Sequence, residues 1–321
     1  MQRSLSFSSM FMSAAPTISA SATATIVPSG HYCVVSLENT ATTGITATGN
    51  ATVDLGCGMI TNSTSLTAAV ATGSSNVTAS PIAAVGGIDA SNNWGTGTVL
   101  QPFTVAQEDP FADVDPPTPT GCQKFSTYDT GNNNKPGGTV DLTTKLTAGG
   151  TYCLKESSGT LTIQGNVTLP SGVYVLDSTS IKMTATGASL TCHDCVFIMT
   201  TSGTDMTKIG TVSLQGGKLD LTNWTGDTYT GLMFYQDRRA VTCTSANCQN
   251  LINGNSVSSL QGAAYFPSQL LTFNGTAGMT TDCLQLVARN VSYSGNMNIS
   301  NECDADSGAH DFTGKKVRLV A

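Results

Sequence analysis

Short runs of alternating apolar and polar residues recur along the whole chain, each closed by Gly, Asn or Ser, and they constrain its fold most strongly. Examples are "TLTIQGNVTL" (160–169), "SLQGGKLDL" (213–221) and "SYSGNMNI" (292–299). Alternation predicts strands, because successive side chains point to opposite faces of a sheet. Gly and Asn suit tight corners, since both tolerate positive φ. Long helical periodicity is absent from the sequence, which therefore predicts an all-β protein.

The strand–corner–strand units return every few tens of residues, although no strict period fits them. Such recurrence is typical of a solenoid, in which stacked coils bury a continuous apolar core. We therefore expect an irregular parallel β-solenoid. A β-sandwich is the alternative, because it is also built from many short strands.

One segment interrupts the strand pattern. "AQEDPFADVDPPTPTGC" (106–122) is acidic and rich in proline, which cannot continue a sheet. We expect four parts: a strand-like arm over 1–30, truncated upstream; a first solenoid segment over 31–105; a strap or linker over 106–121; and a second segment over 122–321 that continues the first. The carboxylates of the strap lack the spacing of a calcium loop, which favours a solvated strap. These carboxylates are Glu108, Asp109, Asp113 and Asp115.

Charge argues against one class of partner. Only 11% of the residues are charged, and the net charge is −7. Nucleic-acid binding needs a basic face that neutralises phosphates, so this class of function is not expected.

The ten cysteines form an even set. In an oxidising compartment such cysteines pair as disulfides, although sequence alone does not determine the connectivity. We expect sequential pairs. A solenoid brings residues one coil apart next to each other, which suits the pairs spaced 20 to 31 residues apart, and the two short pairs would pin corner loops. The expected pairs are Cys33–Cys57, Cys122–Cys153, Cys192–Cys195, Cys243–Cys248 and Cys283–Cys303.

The densest cysteine motif is Cys192-His193-Asp194-Cys195. A redox pair of the thioredoxin type precedes a helix, but here "VFIMTT" (196–201) predicts a strand. A structural zinc site is the other alternative, with Cys243 and Cys248 as the second pair of ligands. A disulfide that pins a corner is the favoured interpretation.

A charged cluster in "YQDRR" (235–239) offers the only enzyme-like site that we identify in the sequence. Polysaccharide-acting β-helix enzymes gather Asp, Lys and Arg on one face, so Asp237, Arg238 and Arg239 are candidates. A glycosidase also needs two carboxylates at a defined separation, and acids are sparse here. An ion-paired strand end is favoured, and we expect no catalytic set, metal or cofactor.

Several stretches, taken in order, resemble the extracytoplasmic β-rich region of TadG-like proteins of Tad (Flp) pilus assembly systems. They are "HYCVVSLENTATTGITATGNATVDLGCGMITNS" (31–63), "DPFADVDPPTPTGC" (109–122), "TLTIQGNVTLPSGVYVL" (160–176), "GLMFYQDRRA" (231–240), "LQGAAYFPSQLLTFNG" (260–275) and "CLQLVARNVSYSGNMNIS" (283–300). The resemblance implies a non-catalytic envelope protein that supports a pilus. Such proteins usually begin with a membrane helix, so membrane contact is expected only through a helix missing from this sequence.

We therefore expect an extracytoplasmic protein, in the periplasm or on the cell surface, whose partners are pilus-system or other envelope proteins. Two alternatives remain at this point. One is a secreted β-helix enzyme acting on polysaccharide, and the other is an adhesin-type binding module with a glycan as its ligand.

Overall fold

The computed structural model describes residues 2–4, 17–19, 21–54, 56–243, 249–253, 258–275, 280–295, 298–302 and 312–320. Within these ranges the protein is nearly all-β, as the sequence predicts. Helical structure is limited there to α1 (Phe125–Tyr128) and a 3-10 turn at Met206–Lys208. In the same part of the chain, we find no helix with the length and apolar character that crossing a membrane requires.

The strands fall into two groups on either side of the strap. The group before it contains β1 (Gln2–Ser4), β2 (Thr17–Ser19), β3 (Thr23–Ser36), β4 (Ile45–Ala47), β5 (Thr52–Asp54), β6 (Gly58–Thr61), β7 (Ala69–Ala71), β8 (Asn76–Thr78), β9 (Ile82–Ala84) and β10 (Leu100–Gln101). The group after it contains β11 (Thr139–Asp141), β12 (Gly150–Leu154), β13 (Thr160–Ile163), β14 (Asn166–Leu169), β15 (Gly172–Asp177), β16 (Ser180–Met183), β17 (Ser189–Thr200), β18 (Val212–Gln215), β19 (Lys218–Asn223), β20 (Leu232–Gln236), β21 (Asn250–Asn253), β22 (Ser259–Gly275), β23 (Thr280–Gly295), β24 (Asn298–Glu302) and β25 (Phe312–Val320).

Strands β3 to β25 belong to one connected sheet system, and nearly all of its pairings are parallel. They form three ladders. Ladder A contains β12, β15, the end of β17, β20, the middle of β22 and β23, β3, β6, β9 and β10. Ladder B contains β13, β16, β18, β21, the ends of β22 and β23, β4 and β7. Ladder C contains β11, β14, the start of β17, β19, the starts of β22 and β23, β24, β5 and β8.

The order of the ladders differs from the order of the sequence. The strands before the strap are stacked on the end of the strands after it, through the parallel pairings Leu286↔Val34 and Val291↔Ile45. The two segments therefore share one sheet system, in which residues 31–105 come after residues 139–302. The strap must lead the chain from β10 back to the opposite end.

Ladder A is lined on its inner side by stacked aromatic rings. Tyr152, Tyr174, Phe197 and Phe234 occupy matching positions of successive strands. Their neighbouring ring centroids lie 5.5, 5.4 and 5.6 Å apart. The alternating strand pattern produces this core directly, because parallel in-register pairing places equivalent side chains above one another.

Ladder A is also buried on its outer side. Every residue of β15 and β20 is buried, so these strands do not show the half-exposed pattern of a solvent-facing sheet. Outward-facing Val175, Ile198 and Tyr235 belong to a second apolar cluster, which Phe111 and Val114 of the strap help to cover. Parallel sheets are generally covered on both faces, and the strap provides part of the cover here.

Corners between the ladders use glycine where backbones approach closely. Gly295, Gly49 and Gly73 have φ of +84°, +71° and +72° and follow one another across three layers. A Cβ atom added to Gly73 would lie 3.1 Å from the carbonyl oxygen of Gly49. Only glycine combines this positive φ with so small a separation.

Strand β3 continues beyond ladder A and pairs there in antiparallel fashion with β25, from Tyr32↔Phe312 to Thr23↔Val320. Strands β1 and β2 form a separate antiparallel pair. The segment expected to be a strand-like arm thus contributes strands, and part of β3 lies outside the three ladders.

We predict that removing the hydroxyl group of Tyr293 does not destabilise the protein. Tyr293 is fully buried, and its hydroxyl has no hydrogen-bond partner among the described residues. A buried hydroxyl without a partner is unfavourable, so Tyr293→Phe should leave the free energy of unfolding unchanged or raise it by about 1 kcal/mol. Denaturant unfolding would measure the change.

Tyr174→Phe is the matched control. Its hydroxyl donates a 2.7 Å hydrogen bond to the Pro170 carbonyl inside the core. This variant should lose about 1 kcal/mol. Equal losses for the two variants would contradict the prediction.

Candidate functional site

Three disulfides join Cys33 to Cys57, Cys122 to Cys153 and Cys192 to Cys195. They are three of the five pairs expected from the sequence. Cys243 and Cys283 are also disulfide-bonded, and their expected partners, Cys248 and Cys303, lie outside the described residues. Disulfides persist in oxidising compartments, so these bonds indicate an extracytoplasmic environment.

The Cys192–Cys195 disulfide lies where β17 passes from ladder C to ladder A. Pairing with β19 is irregular between these two residues, and Asp194 has a φ of +56°. Both sulfur atoms are buried and lie 3.5 Å from the Pro170 carbonyl oxygen. An attacking thiolate needs access to a sulfur atom, so this disulfide is a staple of the corner rather than an accessible redox pair.

The two residues between these cysteines stabilise the surface of the same corner. His193 Nε2 lies 2.9 Å from Asp220 Oδ1, and Lys218 donates to the other oxygen at 3.1 Å. Asp194 accepts hydrogen bonds from the backbone and the hydroxyl of Thr225, at 2.7 and 2.8 Å. The Cys192–Cys195 motif therefore joins β17 to β19 and to the loop that follows β19.

The zinc alternative for Cys192, Cys195, Cys243 and Cys248 does not fit this structure. Zinc binds thiolates, whereas Cys192 and Cys195 are bonded to each other and Cys243 is also in a disulfide. Three of the four proposed ligands are therefore oxidised. The described residues contain no group of three or more His, Cys, Asp or Glu side chains that could hold a metal ion.

Asp237, the candidate acid of the charged cluster, is buried and fully engaged. It accepts hydrogen bonds from the Thr200 hydroxyl at 2.7 Å and from Arg239, whose Nη2 lies 2.6 Å away. Burial opposes ionisation, but the hydrogen bonds from Arg239 and Thr200 outweigh it and hold the pKa of Asp237 below its ordinary value. Such a carboxylate is held ionised, which does not suit a general acid.

Arg238 points away from Asp237 and holds the strap. Its guanidinium donates to the backbone carbonyls of Ala112, Phe111 and Val114 at 2.5, 2.7 and 3.0 Å. The Tyr235 hydroxyl also donates to the Val114 carbonyl, at 2.7 Å. The three residues of the predicted enzyme-like cluster are therefore adjacent in sequence but do not converge on a common cavity.

The strap crosses ladder A through a series of contacts. Asn62 forms two 2.8 Å hydrogen bonds with the backbone of Gln107, and the Tyr265 hydroxyl donates to Asp109 at 2.7 Å. The Cys122–Cys153 disulfide attaches its far end to β12. The carboxylates of the strap have separate partners: Glu108 pairs with Lys315, and Asp115 lies near Arg238. They form no common calcium site.

Sequence reasoning missed a repeated buried carboxylate at the corner that follows ladder A. Asp177 and Glu38 lie at this corner, as Asp237 does. Asp177 pairs with Lys155 at 2.7 Å, and Glu38 pairs with Arg289 at 3.0 Å. Burial raises the pKa of all three carboxyls, but hydrogen bonds and neighbouring cations more than compensate, so each pKa lies below its ordinary value. An acidic residue at the end of an apolar strand or just after it was the available signal.

Among three grooves in the described part of the chain, one is lined by two carboxylates. In the groove of about 520 Å³ beside the 3-10 turn, Lys208 is the only charged lining residue. Asp129 and Glu156 line a smaller groove of about 180 Å³. Both already accept backbone hydrogen bonds, Asp129 from Asn134 at 2.8 Å and Glu156 from Phe125 at 2.7 Å. Glycoside hydrolysis needs two carboxylates free to act on the substrate.

Fold and site together define a disulfide-bonded, nearly all-β protein of an oxidising compartment. Comparison of the chain with protein-family models, with curated proteins and with solved structures finds no match.

We predict that Arg238→Met weakens the attachment of the strap. The variant keeps an apolar stem but leaves three strap carbonyls without their charged donor, so the free energy of unfolding should fall by about 2 kcal/mol. Hydrogen exchange of residues 111–115 should accelerate relative to the wild type. The matched control is Lys315→Met, which removes an exposed ion pair with the same strap and should change stability by about 0.5 kcal/mol or less. Equal effects of the two variants would argue against Arg238 as the residue that holds the strap.

We predict that acid destabilises the protein through the buried corner carboxylates. Because the pKa values of Glu38, Asp177 and Asp237 are lowered by folding, their stabilising effect is present above the unfolded-state pKa values and is lost as pH falls through the folded ones. The free energy of unfolding should vary little between about pH 7 and 5 and decline below about pH 4.

Asp237→Asn tests the contribution of one carboxylate. The variant should be less stable than the wild type at pH 7 by about 1–3 kcal/mol, and its stability should fall less steeply in acid. Denaturant titrations at several pH values would measure both slopes. An unchanged slope would show that other groups control the acid transition.

Proposed function

We propose that this chain is a non-enzymatic component of the cell envelope that supports assembly or anchoring of a Tad/Flp-type pilus, in the periplasm or on the cell surface. The single observation that carries the non-enzymatic part of the proposal is that the side chains of the charged cluster are engaged in structural contacts. Asp237 is neutralised by Arg239, and Arg238 is bound to the strap. A polysaccharide-acting enzyme would need these groups to face a cleft.

We further propose that the sheet system is an irregular β-solenoid with three strands in each complete coil. Strands β11, β12, β13 and β14 each pair in parallel with the third strand that follows them, as successive coils would. The stacked aromatic rings inside ladder A support this interpretation. A sandwich would require mainly antiparallel strand pairs, whereas antiparallel pairing in the described residues is limited to β1–β2 and β3–β25.

The stretches that resemble TadG-like proteins have structural roles, which supports a scaffold. Residues 109–122 form most of the strap. Residues 231–240 supply β20 and also Tyr235 and Arg238, whose hydrogen bonds hold the strap. Residues 160–176 supply β13, β14 and most of β15. The pilus part of the proposal rests on this resemblance, and the oxidised cysteines are compatible with it.

Deletion of the gene in its source organism tests the proposal. Loss of the chain should reduce the number of surface pili counted by electron microscopy, and re-expression of the wild type should restore them. Asp237→Asn and Arg239→Met should restore pili as well, provided that the purified variants are folded, because no chemistry depends on these side chains. Normal piliation of the deletion strain would contradict the pilus role.

The enzyme alternative gives the opposite pattern. Purified wild-type protein would then release reducing ends from a cell-surface polysaccharide, and folded Asp237→Asn would not. Reducing-end assays on envelope polysaccharides, with the same two variants, distinguish the two functions.

A further inference from the structure

The two ends of the sheet system differ in how their strand edges are covered. At the end formed by β12 and β13, the backbone of Gln123 pairs with Cys153 and Lys155 through two 2.9 Å hydrogen bonds. The side chain of Asn134 donates to the Thr162 carbonyl at 2.7 Å and accepts from the backbone of Gln164 at 2.8 Å. Phe125 of α1 is buried in the core. Residues 122–138 thus form a cap.

The opposite end finishes at β10, which has an open edge. β10 pairs in parallel with β9 along one side, and no strand register with its other side is found among the described residues. Such an edge presents backbone N–H and C=O groups to any strand that approaches. Proteins usually protect such edges with charges, proline or a covering segment.

Apolar side chains surround this open edge. Phe103 is 70% exposed, Leu66 78%, Val99 49% and Leu100 39%. Phe103 donates its backbone N–H to Gly86, and the adjacent Gly87 packs against the backbone of Leu66, so these residues share one end of the molecule. We call Leu66, Val99, Leu100 and Phe103 the end patch. Only two other large apolar side chains of the described residues are exposed, Ile26 and Val241.

The backbone at Phe103 is also unusual. Its φ is +60°, a conformation that bulky residues rarely adopt. Strain of this kind persists only where the surrounding structure holds it, and it concentrates at functional positions. At Phe103 the strained backbone coincides with an aromatic side chain that is exposed to solvent.

Charge favours a second copy as the occupant of this surface. The chain has a net charge of −7, yet residues 82–105, which build this end, contain Asp89 as their only charged residue. Two copies can therefore meet at this end with little like-charge repulsion, whereas a strongly charged partner finds no complementary charges there.

We propose that the end patch is a homodimer interface, in which the β10 strands of two copies pair in antiparallel fashion across a two-fold axis. The isologous arrangement follows from the apolar surface: four of the six exposed large apolar side chains of the described residues lie in the end patch, so its best apolar match is the same patch of a second copy, and the contact closes as a dimer. This inference is independent of the proposed role in a pilus.

Sedimentation velocity of the purified chain tests the interface with two matched double variants. Leu100→Asp with Phe103→Asp places two charges in the end patch. Ile26→Asp with Val241→Asp places the same two charges on exposed apolar positions elsewhere. The wild type and the second variant should sediment as dimers, and the first should be monomeric, with a dissociation constant raised by about 100-fold or more. Circular dichroism and the thermal midpoint establish that each variant is folded.

Hydrogen exchange of the wild type gives a readout that needs no variant. Amides of residues 99–103 should become more protected as protein concentration rises through the dimerisation range. A monomeric wild type at all concentrations, a dimer that survives in the end-patch variant, or protection that is independent of concentration would each overturn the proposal.

Discussion

The cover over the outer face of ladder A is the constraint on which the rest of the structure depends. The strands of ladder A are apolar on both faces, because aromatic rings fill the inner side and Val175, Ile198 and Tyr235 occupy the outer side. Parallel strands of this composition need both faces covered. The strap supplies an outer cover for this face. Its Pro-rich part does not pair with a strand, so its backbone carbonyls need hydrogen-bond donors from side chains. Arg238 and Tyr235 provide them. Sheet and strap are therefore mutually dependent.

This dependence explains how the few charged residues are used. Only 11% of the chain is charged, and several of these side chains lie at the corner that follows ladder A, where Glu38, Asp177 and Asp237 are buried beside cations. A buried carboxylate is tolerated only when hydrogen bonds and an opposite charge compensate for its desolvation. Charges used in this way stabilise corners and the strap, and they are not available for chemistry. This distribution supports the proposed scaffold role.

Much of the local structure was predictable because its causes are local. Alternating residues with Gly and Asn at the corners gave the strands, and proline gave the break at the strap. Three of the expected disulfides are present: two join residues that become neighbours in adjacent layers, and the third closes a corner within β17. The charged cluster is visible in the sequence, but its interpretation required partners more than 120 residues away, as the Arg238–Phe111 contact shows. No local pattern encodes such a partner.

By itself, the sequence determined the all-β class, the corner positions and the oxidised state that an even set of closely spaced cysteines favours. Only the tertiary structure decided that residues 31–105 are stacked after residues 139–302, that the strap runs back over ladder A, and that one end is capped while β10 remains open. The physical reason is the nature of strand pairing. A strand carries its own alternation, but the identity and register of its neighbour come from side-chain ladders assembled from distant parts of the chain.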